Sequence, residues 1–304
     1  MAEENFSYSK LSTYKDCPFR FYLNYVLKNF AYSASIATEF GSAIHKCEED
    51  IAHCIQDKKE IDYTQIKNDF IVKNVELQAK YPIEYFADDG KSGRNYQQKA
   101  YEYLDSGIYR LEAYMKAHPT YEIVGIEQRF NFKFDESHNF NGAIDRVFHD
   151  TETDEYLIQD IKSWAVPAES KDLATPLQFV FYVLAAKELW GADPEKVKCQ
   201  YDLPLCNVTQ DGGTKGFMIR GVNKINSLFE KINEEDYHPN PTPLCHWCAF
   251  CRTNNDAKEE FKLLCPYCLE WTRENKTFKK EHEWLGLNKH SEILESYKSH
   301  HKAD

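Results

Sequence analysis

The sequence predicts an α/β fold: a run of helices, then a mixed sheet interrupted by one helix, then a cysteine-rich module. Three observations predict it. Apolar side chains recur at three- and four-residue spacing through most of residues 8–118, they alternate from residue 122 onward, and five of the ten cysteines crowd into residues 245–268. These periods belong to helix and strand respectively. Strands that continue after an intervening helix make a sheet covered by helices, with antiparallel pairs where the connections are short. Three parts are expected: a helical part over residues 1–120, an α/β core over 121–240, and the cysteine module with a charged helical tail over 241–304.

Each element follows from local pattern. "YSKLSTYKDCPFRFYLNYVLK" (8–28) reads as two helical pieces, with Pro18 where a new helical turn can start. "GSAIHKCEEDIAHCIQ" (41–56) carries Ile44, Cys47, Ile51, Cys54 and Ile55 as one apolar stripe, with His45 and Glu49 four apart and off it. Residues 62–118 are mostly helical, broken by the loop "YFADDGKSGRNY", and end in one long amphipathic helix over 96–118. Strands are expected at 122–134, 140–150 and 155–164, the last two joined by "TETD" as a turn. A helix over 172–190 follows. "KVKCQYDLPL" and "KGFMIRGVN" read as two further strands linked by "NVTQDGG", and a helix near 222–235 precedes the proline-rich "YHPNPTPLC".

Hydrophobic residues make up 42% of the 304 and aromatics 14%, enough for a sizeable core. The net charge of −12 argues against a surface that coats nucleic acid, because phosphate contacts need Lys and Arg. It is compatible with a local basic groove, and a metal-binding acid cluster adds to the acidity. No run of eighteen apolar residues exists, so no membrane span is expected. The opening "MAEENFSYSK" lacks the basic start and apolar stretch of a signal peptide. A reducing, cytoplasmic setting is therefore expected, in which cysteines bind metal rather than form disulfides.

The chemistry concentrates in "GAIDRVFHDTETDEYLIQDIKSW" (142–164). Asp145 and Asp160 each sit where a buried strand should carry an aliphatic. Strand alternation puts Asp160 and Lys162 on one side, and a hairpin through "TETD" brings Asp145 to the same end. Two carboxylates in an apolar setting are costly without a cation. A hard divalent ion such as Mg²⁺ or Mn²⁺ suits them. Lys162 can then pair with a carboxylate, position a water or stabilise charge on a phosphate. The bland alternative is a structural ion pair, Asp160 with Lys162 or Asp145 with Arg146. Gln178 and Tyr182 stand four apart on one face of the following helix, His45 offers an imidazole suited to Mn²⁺, and Glu127 is a further candidate acid.

"GSAIH", "GAID", "QDIK" and "QFVFY", in this order and spacing, resemble the PD-(D/E)xK nuclease superfamily in its RecB-like branch. That branch includes nuclease domains of bacterial recombination complexes, CRISPR-adaptation nucleases and many phage exonucleases. "LSTYKDCPFRFYLNYV" is similar to the family's N-terminal segment, and the likeness covers roughly residues 8–252. It implies a restriction-endonuclease-like mixed sheet flanked by helices. It implies that His45, Asp145, Asp160 and the carbonyl of Ile161 bind the metal. Lys162 would activate the attacking water, and Gln178 and Tyr182 would hold the DNA backbone or the lysine.

The cysteines admit two metal readings. Cys245, Cys248, Cys265 and Cys268 form C-x₂-C-x₁₆-C-x₂-C, a spacing suited to structural Zn²⁺. The resemblance implies the other: in iron–sulfur members one N-terminal cysteine joins three C-terminal ones around a [4Fe–4S] cluster. Here Cys17 would join Cys245, Cys248 and Cys251. Position 254, near the family's wider third spacing, is Asn. Zinc is preferred because it also accounts for "CPYC".

The expected function is a Mg²⁺- or Mn²⁺-dependent DNA exonuclease in recombination, repair or phage DNA processing. Without a G-x-x-x-x-G-K-[ST] motif it would act alone or beside a separate helicase or annealing protein. The alternative is a catalytically degenerate protein that binds DNA or a partner. A zinc hydrolase is disfavoured, since no H-E-x-x-H motif is present.

Overall fold

The structure is a computed structural model that describes residues 4–31, 34–240, 242, 245, 247–251, 258–262 and 264–265. In chain order the elements begin with β1 (Glu4–Phe6), α1 (Tyr8–Asp16), α2 (Pro18–Phe21), α3 (Ile36–Gln56), α4 (Tyr63–Lys80), α5 (Tyr96–Asp105) and α6 (Arg110–Ala117). They continue with β2 (Tyr121–Lys133), β3 (His138–Asp150), β4 (Glu155–Ile161), α7 (Ser170–Leu173), α8 (Leu177–Trp190), β5 (Val197–Leu203), β6 (Val208–Asp211), α9 (Phe217–Asn233) and α10 (Glu259–Lys262). The chain divides into two units, one of residues 1–8 and 34–225, the other of residues 9–33 and 226–304.

The first unit is built on one mixed sheet. β3 pairs antiparallel with β2 and β4 and parallel with β1, while β5 pairs parallel with β4 and antiparallel with β6. A parallel pair needs a crossover, and α7 and α8 supply it between β4 and β5. Both faces of β4 are covered, which is why Leu157 to Ile161 is an unbroken buried run. On one face Phe148, Leu157 and Ile161 join Ile44, Phe70 and Tyr103 of the helices in a single apolar core. On the other face α8 stacks aromatics against the sheet: Phe181 on Phe140 at 3.9 Å between ring centroids, and Phe179 on Tyr201 at 4.5 Å.

Several sequence expectations change at breaks. The single helix over 96–118 is two, α5 and α6, joined by a 3₁₀ turn at Gly107–Tyr109. A Cβ at Gly107 would stand 2.8 Å from the carbonyl oxygen of Pro204, so the break lets two backbones approach. The helix over 172–190 is the short α7 and then α8, because Pro176 caps α8 in an extended conformation. "KGFMIRGVN" is not a strand. It opens α9, whose Ile225, Phe229 and Ile232 are buried at helical spacing, and the sheet's last strand is β6, inside the expected link. The three-residue β1 was too short to carry a periodic signal.

In the second unit, Cys17 precedes α2 in an extended conformation, with Pro18 at the first helical position. A π-helical turn at Tyr22–Val26 follows. Tyr14, Phe21, Tyr22 and Tyr237 make an aromatic core, with Tyr14–Phe21 centroids at 5.3 Å and Tyr22–Tyr237 at 5.0 Å. The Tyr14 hydroxyl donates to the Asp236 carbonyl at 2.7 Å. The expected tail helix, with Trp271, Arg273, Lys276, Lys279, Lys280 and Trp284, lies outside the described residues.

Candidate active site

Three strands and two helices of the first unit meet at one point. α3 is capped by Ser35, whose hydroxyl oxygen accepts from the Thr38 N–H at 3.3 Å. It buries Ile44, Cys47 and Ile51 and leaves His45 off that stripe, with its side chain 32% exposed. On β2 and β3, Ile126 pairs with Arg146 and Gln128 with Ile144, so Glu127 stands across from Asp145. On β3 and β4, Arg146 pairs with Gln159, and one step further Asp145 stands across from Asp160. The two acids thus share a face, as the hairpin argument predicted. Glu127 has φ +42°, a left-handed conformation that a non-glycine residue rarely adopts within a strand. Such strain concentrates at functional sites.

The distances are short. His45 Nδ1 lies 3.8 Å from Asp145 Oδ2 and 4.0 Å from Glu127 Oε1. One ligand atom from each of these three residues falls within 4.8 Å of the others. Asp145 Oδ2 accepts the Ile161 N–H at 2.6 Å. Asp160 Oδ1 accepts from Gln178 Nε2 at 2.9 Å and from the Tyr182 hydroxyl at 3.1 Å. Asp160 Oδ2 is buried, accepts no well-aligned hydrogen bond, and faces the Lys162 ammonium 2.5 Å away. Lys162 Nζ also donates to Gln178 Oε1 at 3.2 Å, and Gln178 Nε2 reaches the Tyr182 oxygen at 2.7 Å.

Electrostatics match this crowding. Burial and then the Asp160 carboxylate push the Asp145 carboxyl up to about 7, against the pull of His45 and of the Ile161 N–H. Burial acts to lower His45, but the carboxylates of Glu127, Asp145 and Asp160 together raise it. Burial, then Asp160 and Asp145, hold the Tyr182 phenol well above its ordinary value. Carboxylates this close repel unless a cation or proton sits among them. The donor set is oxygen and imidazole nitrogen, which suits Mg²⁺ or Mn²⁺. With one ligand atom each from His45, Glu127 and Asp145 within 4.8 Å of the others, it fits a divalent ion.

All the candidate residues of this site come together: His45, Asp145, Asp160, Ile161, Lys162, Gln178 and Tyr182. The Asp160–Lys162 ion pair is present, but within the cluster rather than instead of it. The Asp145–Arg146 pair is not, because alternation sends Arg146 through to the opposite face. Glu127 is drawn in more closely than its place in the sequence suggested. Its left-handed backbone conformation has no signature in residue identity.

The cysteines meet in the second unit. Cys17, Cys245, Cys248, Cys251 and Cys265 line one cavity of about 80 Å³ together with Arg20. Three tight turns build its floor: Cys245 N–H donates to Thr242 O, Cys248 N–H to Cys245 O and Cys251 N–H to Cys248 O, each at 2.9 Å. The Thr242 N–H points at Cys245 Sγ at 3.4 Å. Burial pushes the Cys245 and Cys248 thiols up, while Arg20 pulls them toward the thiolate. Cys251 stands in a disulfide, contrary to the expectation of reduced cysteines throughout, so a metal site that includes it takes its reduced thiol. Cys268 lies outside the described residues.

A mixed sheet with acids on neighbouring strands, and a lysine directly after one of them, is an arrangement that could hold a divalent ion. Residues 5–253 match the family model of the PD-(D/E)XK nuclease superfamily, and the chain belongs to that superfamily. No curated protein sequence matches. Among solved structures, one titled "Crystal structure of SSO0001" is 15% identical, covers 65% of this chain and 82% of that one, and has a TM-score of 0.28, too low to bear on fold or function. No helix among the described residues is long and apolar enough to cross a membrane.

Proposed function

We propose that the protein is a Mg²⁺- or Mn²⁺-dependent DNA exonuclease of the RecB-like branch, acting in recombination, repair or phage DNA processing. One observation carries the hydrolytic assignment: His45, Glu127 and Asp145 each bring a ligand atom within 4.8 Å of the others, and the Asp160–Lys162 pair stands beside them on the next strand and just past its end. The exonuclease mode and the branch rest on the sequence resemblance. His45, Asp145, Asp160 and the Ile161 carbonyl would hold the ion, with Glu127 as an added oxygen donor. When bound, such an ion neutralises charge that develops on the scissile phosphate. The protein's own groups do the rest. Lys162 presents its ammonium to the attacking water and the phosphate, and Gln178 keeps that ammonium beside Asp160. The Tyr182 hydroxyl donates to Asp160 Oδ1, the oxygen that Gln178 also bonds, and leaves Oδ2 to Lys162.

Labelled linear and circular DNA, incubated with Mg²⁺ or Mn²⁺, tests this. Linear DNA is degraded and covalently closed circles survive, and both Asp160→Ala and Lys162→Ala abolish the reaction. Cleavage that persists in both variants removes the assignment. DNA binding without cleavage by the wild type favours the degenerate binding protein instead.

The cysteine cavity supports a structural metal. Cys17 in this cavity has a part only in the [4Fe–4S] set of Cys17, Cys245, Cys248 and Cys251, and Cys265 only in the zinc set of Cys245, Cys248, Cys265 and Cys268; we take the former, with Cys251 reduced, as the reading to test. Anaerobically purified protein is expected to hold iron and acid-labile sulfide. Stoichiometric zinc without iron reverses the choice.

A further inference from the structure

Behind the catalytic acids, on the opposite face of the sheet, lies a polar cluster that the hydrolytic chemistry does not touch. Alternation turns Arg146 and Gln159 away from Asp145 and Asp160. Arg146 is only 1% exposed. Its Nε and Nη2 donate to Gln159 Oε1 at 3.1 and 2.9 Å. Nη2 also donates to Asp202 Oδ2 at 2.7 Å, and Nη1 to Glu48 Oε2 at 3.3 Å. The remaining oxygens are met as well, Asp202 Oδ1 by Arg110 Nη2 at 2.9 Å and Glu48 Oε1 by the Tyr103 hydroxyl at 3.0 Å.

A buried ion network of this kind is a weak source of stability. Desolvating the charges offsets much of their attraction, and apolar residues of similar volume often do as well or better. Its placement suggests another use. Four elements are tied at one guanidinium, and every tie lies beside a residue of the site. Glu48 follows His45 by one turn of α3. Arg146 follows Asp145 on β3, and Gln159 precedes Asp160 on β4. On β5 the carbonyl oxygen of Asp202 accepts the backbone N–H of Lys162 at 2.8 Å. A guanidinium has its donors in a fixed planar fork, so it sets directions as well as distances.

We propose that Arg146 is a positioning residue. Through Glu48, Gln159 and Asp202 it fixes the mutual placement of His45, Asp145, Asp160 and Lys162. The proposal rests on the nuclease assignment only for its catalytic consequence, since the placement itself can be read from cation binding.

The test uses the full chain, with Mn²⁺ as the probe. Arg146→Lys keeps the charge and loses the fork. Mn²⁺ affinity is measured from the electron paramagnetic resonance of the free ion, and folding from circular dichroism. The folded variant is expected to bind Mn²⁺ about 10- to 100-fold more weakly than wild type, the usual cost of losing an outer support of a metal ligand. At saturating Mn²⁺, kcat on linear DNA falls by a similar factor while KM for DNA stays within about twofold, a split that general destabilisation does not produce. If Arg146→Lys fails to fold, the combined Glu48→Met, Arg146→Met, Asp202→Leu variant, which removes the charges together, takes the same readouts. A folded variant with wild-type Mn²⁺ affinity overturns the proposal, and so does the failure of both variants to fold, which assigns the network to stability. Wild-type protein that binds Mn²⁺ but cleaves no DNA refutes the nuclease assignment and leaves the Mn²⁺ comparison decisive for Arg146. Wild-type protein that binds no Mn²⁺ refutes both.

Discussion

Lys162 is held between two partners, the Asp160 carboxylate at 2.5 Å and the Gln178 carbonyl oxygen at 3.2 Å. A compact ammonium suits this place, because it is a point charge that can turn from a carboxylate toward a phosphate oxygen. Lys162→Ala is therefore expected to lower kcat about 100- to 10,000-fold with Mn²⁺ binding retained, the range for a lost acid–base group. Lys162→Arg should not rescue it, because a planar guanidinium does not reproduce a point charge held between Asp160 and Gln178. Single-turnover cleavage at saturating Mn²⁺ checks both. Glu48 gives a prediction about pH. Burial raises its carboxyl from 4.5 to about 7, against the pull of the Arg146 guanidinium. Between those values the folded chain keeps a proton that the unfolded chain has released. This contribution to stability is full below the lower value, falls as pH rises through the window, and is level above about 7. Glu48→Gln removes that slope. Urea denaturation from pH 4 to 8 should show the variant gaining on wild type as pH rises, and a constant gap across the range contradicts it.

At the scale of the element, backbone breaks decide where the helices lie. Gly107 separates α5 from α6, and a Cβ there would stand 2.8 Å from both the Pro204 carbonyl oxygen and a Tyr103 ring carbon. The carbonyl is backbone and Tyr103 is fully buried, so neither can give way cheaply. Gly107→Ala should cost about 1–3 kcal/mol, the usual penalty of overpacking. Thermal unfolding measures it, and an unchanged midpoint refutes it. The same glycine shows what the sequence could convey. Apolar spacing ran unbroken from Tyr96 to His118 and announced one helix, because periodicity does not record a close approach of two backbones. The hairpin was legible because Asp145 and Asp160 violated an otherwise apolar alternation and "TETD" fixed the register. The start of α9 was not: "KGFMIRGVN" is a short apolar run, and such runs fit either period. Glu127 could be named as an acid but not placed, since the sequence does not show which residues of α3 face β2. Arg146 was legible only as a neighbour of Asp145, and the partners that define it come from α3, β4 and β5.

For the molecule as a whole, the net charge of −12 sets a problem for the proposed action on DNA. Phosphate contacts alone give affinity that scales with the number of cations engaged, and near the site several cations already have partners. Lys99 is paired with Asp89 at 2.8 Å, and Arg94 with Glu102. Contacts to bases must then supply part of the binding. Two grooves flank the centre within the first unit. One of about 780 Å³ is lined by Glu127, Arg129 and Asn131, and one of about 620 Å³ by Lys91, Ser163 and Trp164. Trp164 is 38% exposed and leans on Tyr201 at 5.4 Å between ring centroids, two residues beyond Lys162. An indole held in this way offers a flat face to a base beside the scissile phosphate. Stacking of a base on an aromatic ring is worth about 1–3 kcal/mol, or roughly 5- to 150-fold in affinity at about 1.4 kcal/mol per factor of ten. Trp164→Ala should therefore weaken single-stranded oligonucleotide binding within that range, measured by fluorescence anisotropy in Ca²⁺ to prevent cleavage. Trp164→Phe should recover most of the loss, and kcat on saturating linear DNA should change little. Because stacking does not depend on charge, the loss should persist at high salt, whereas a defect that disappears as salt is raised would mark the groove as a site of phosphate contact alone.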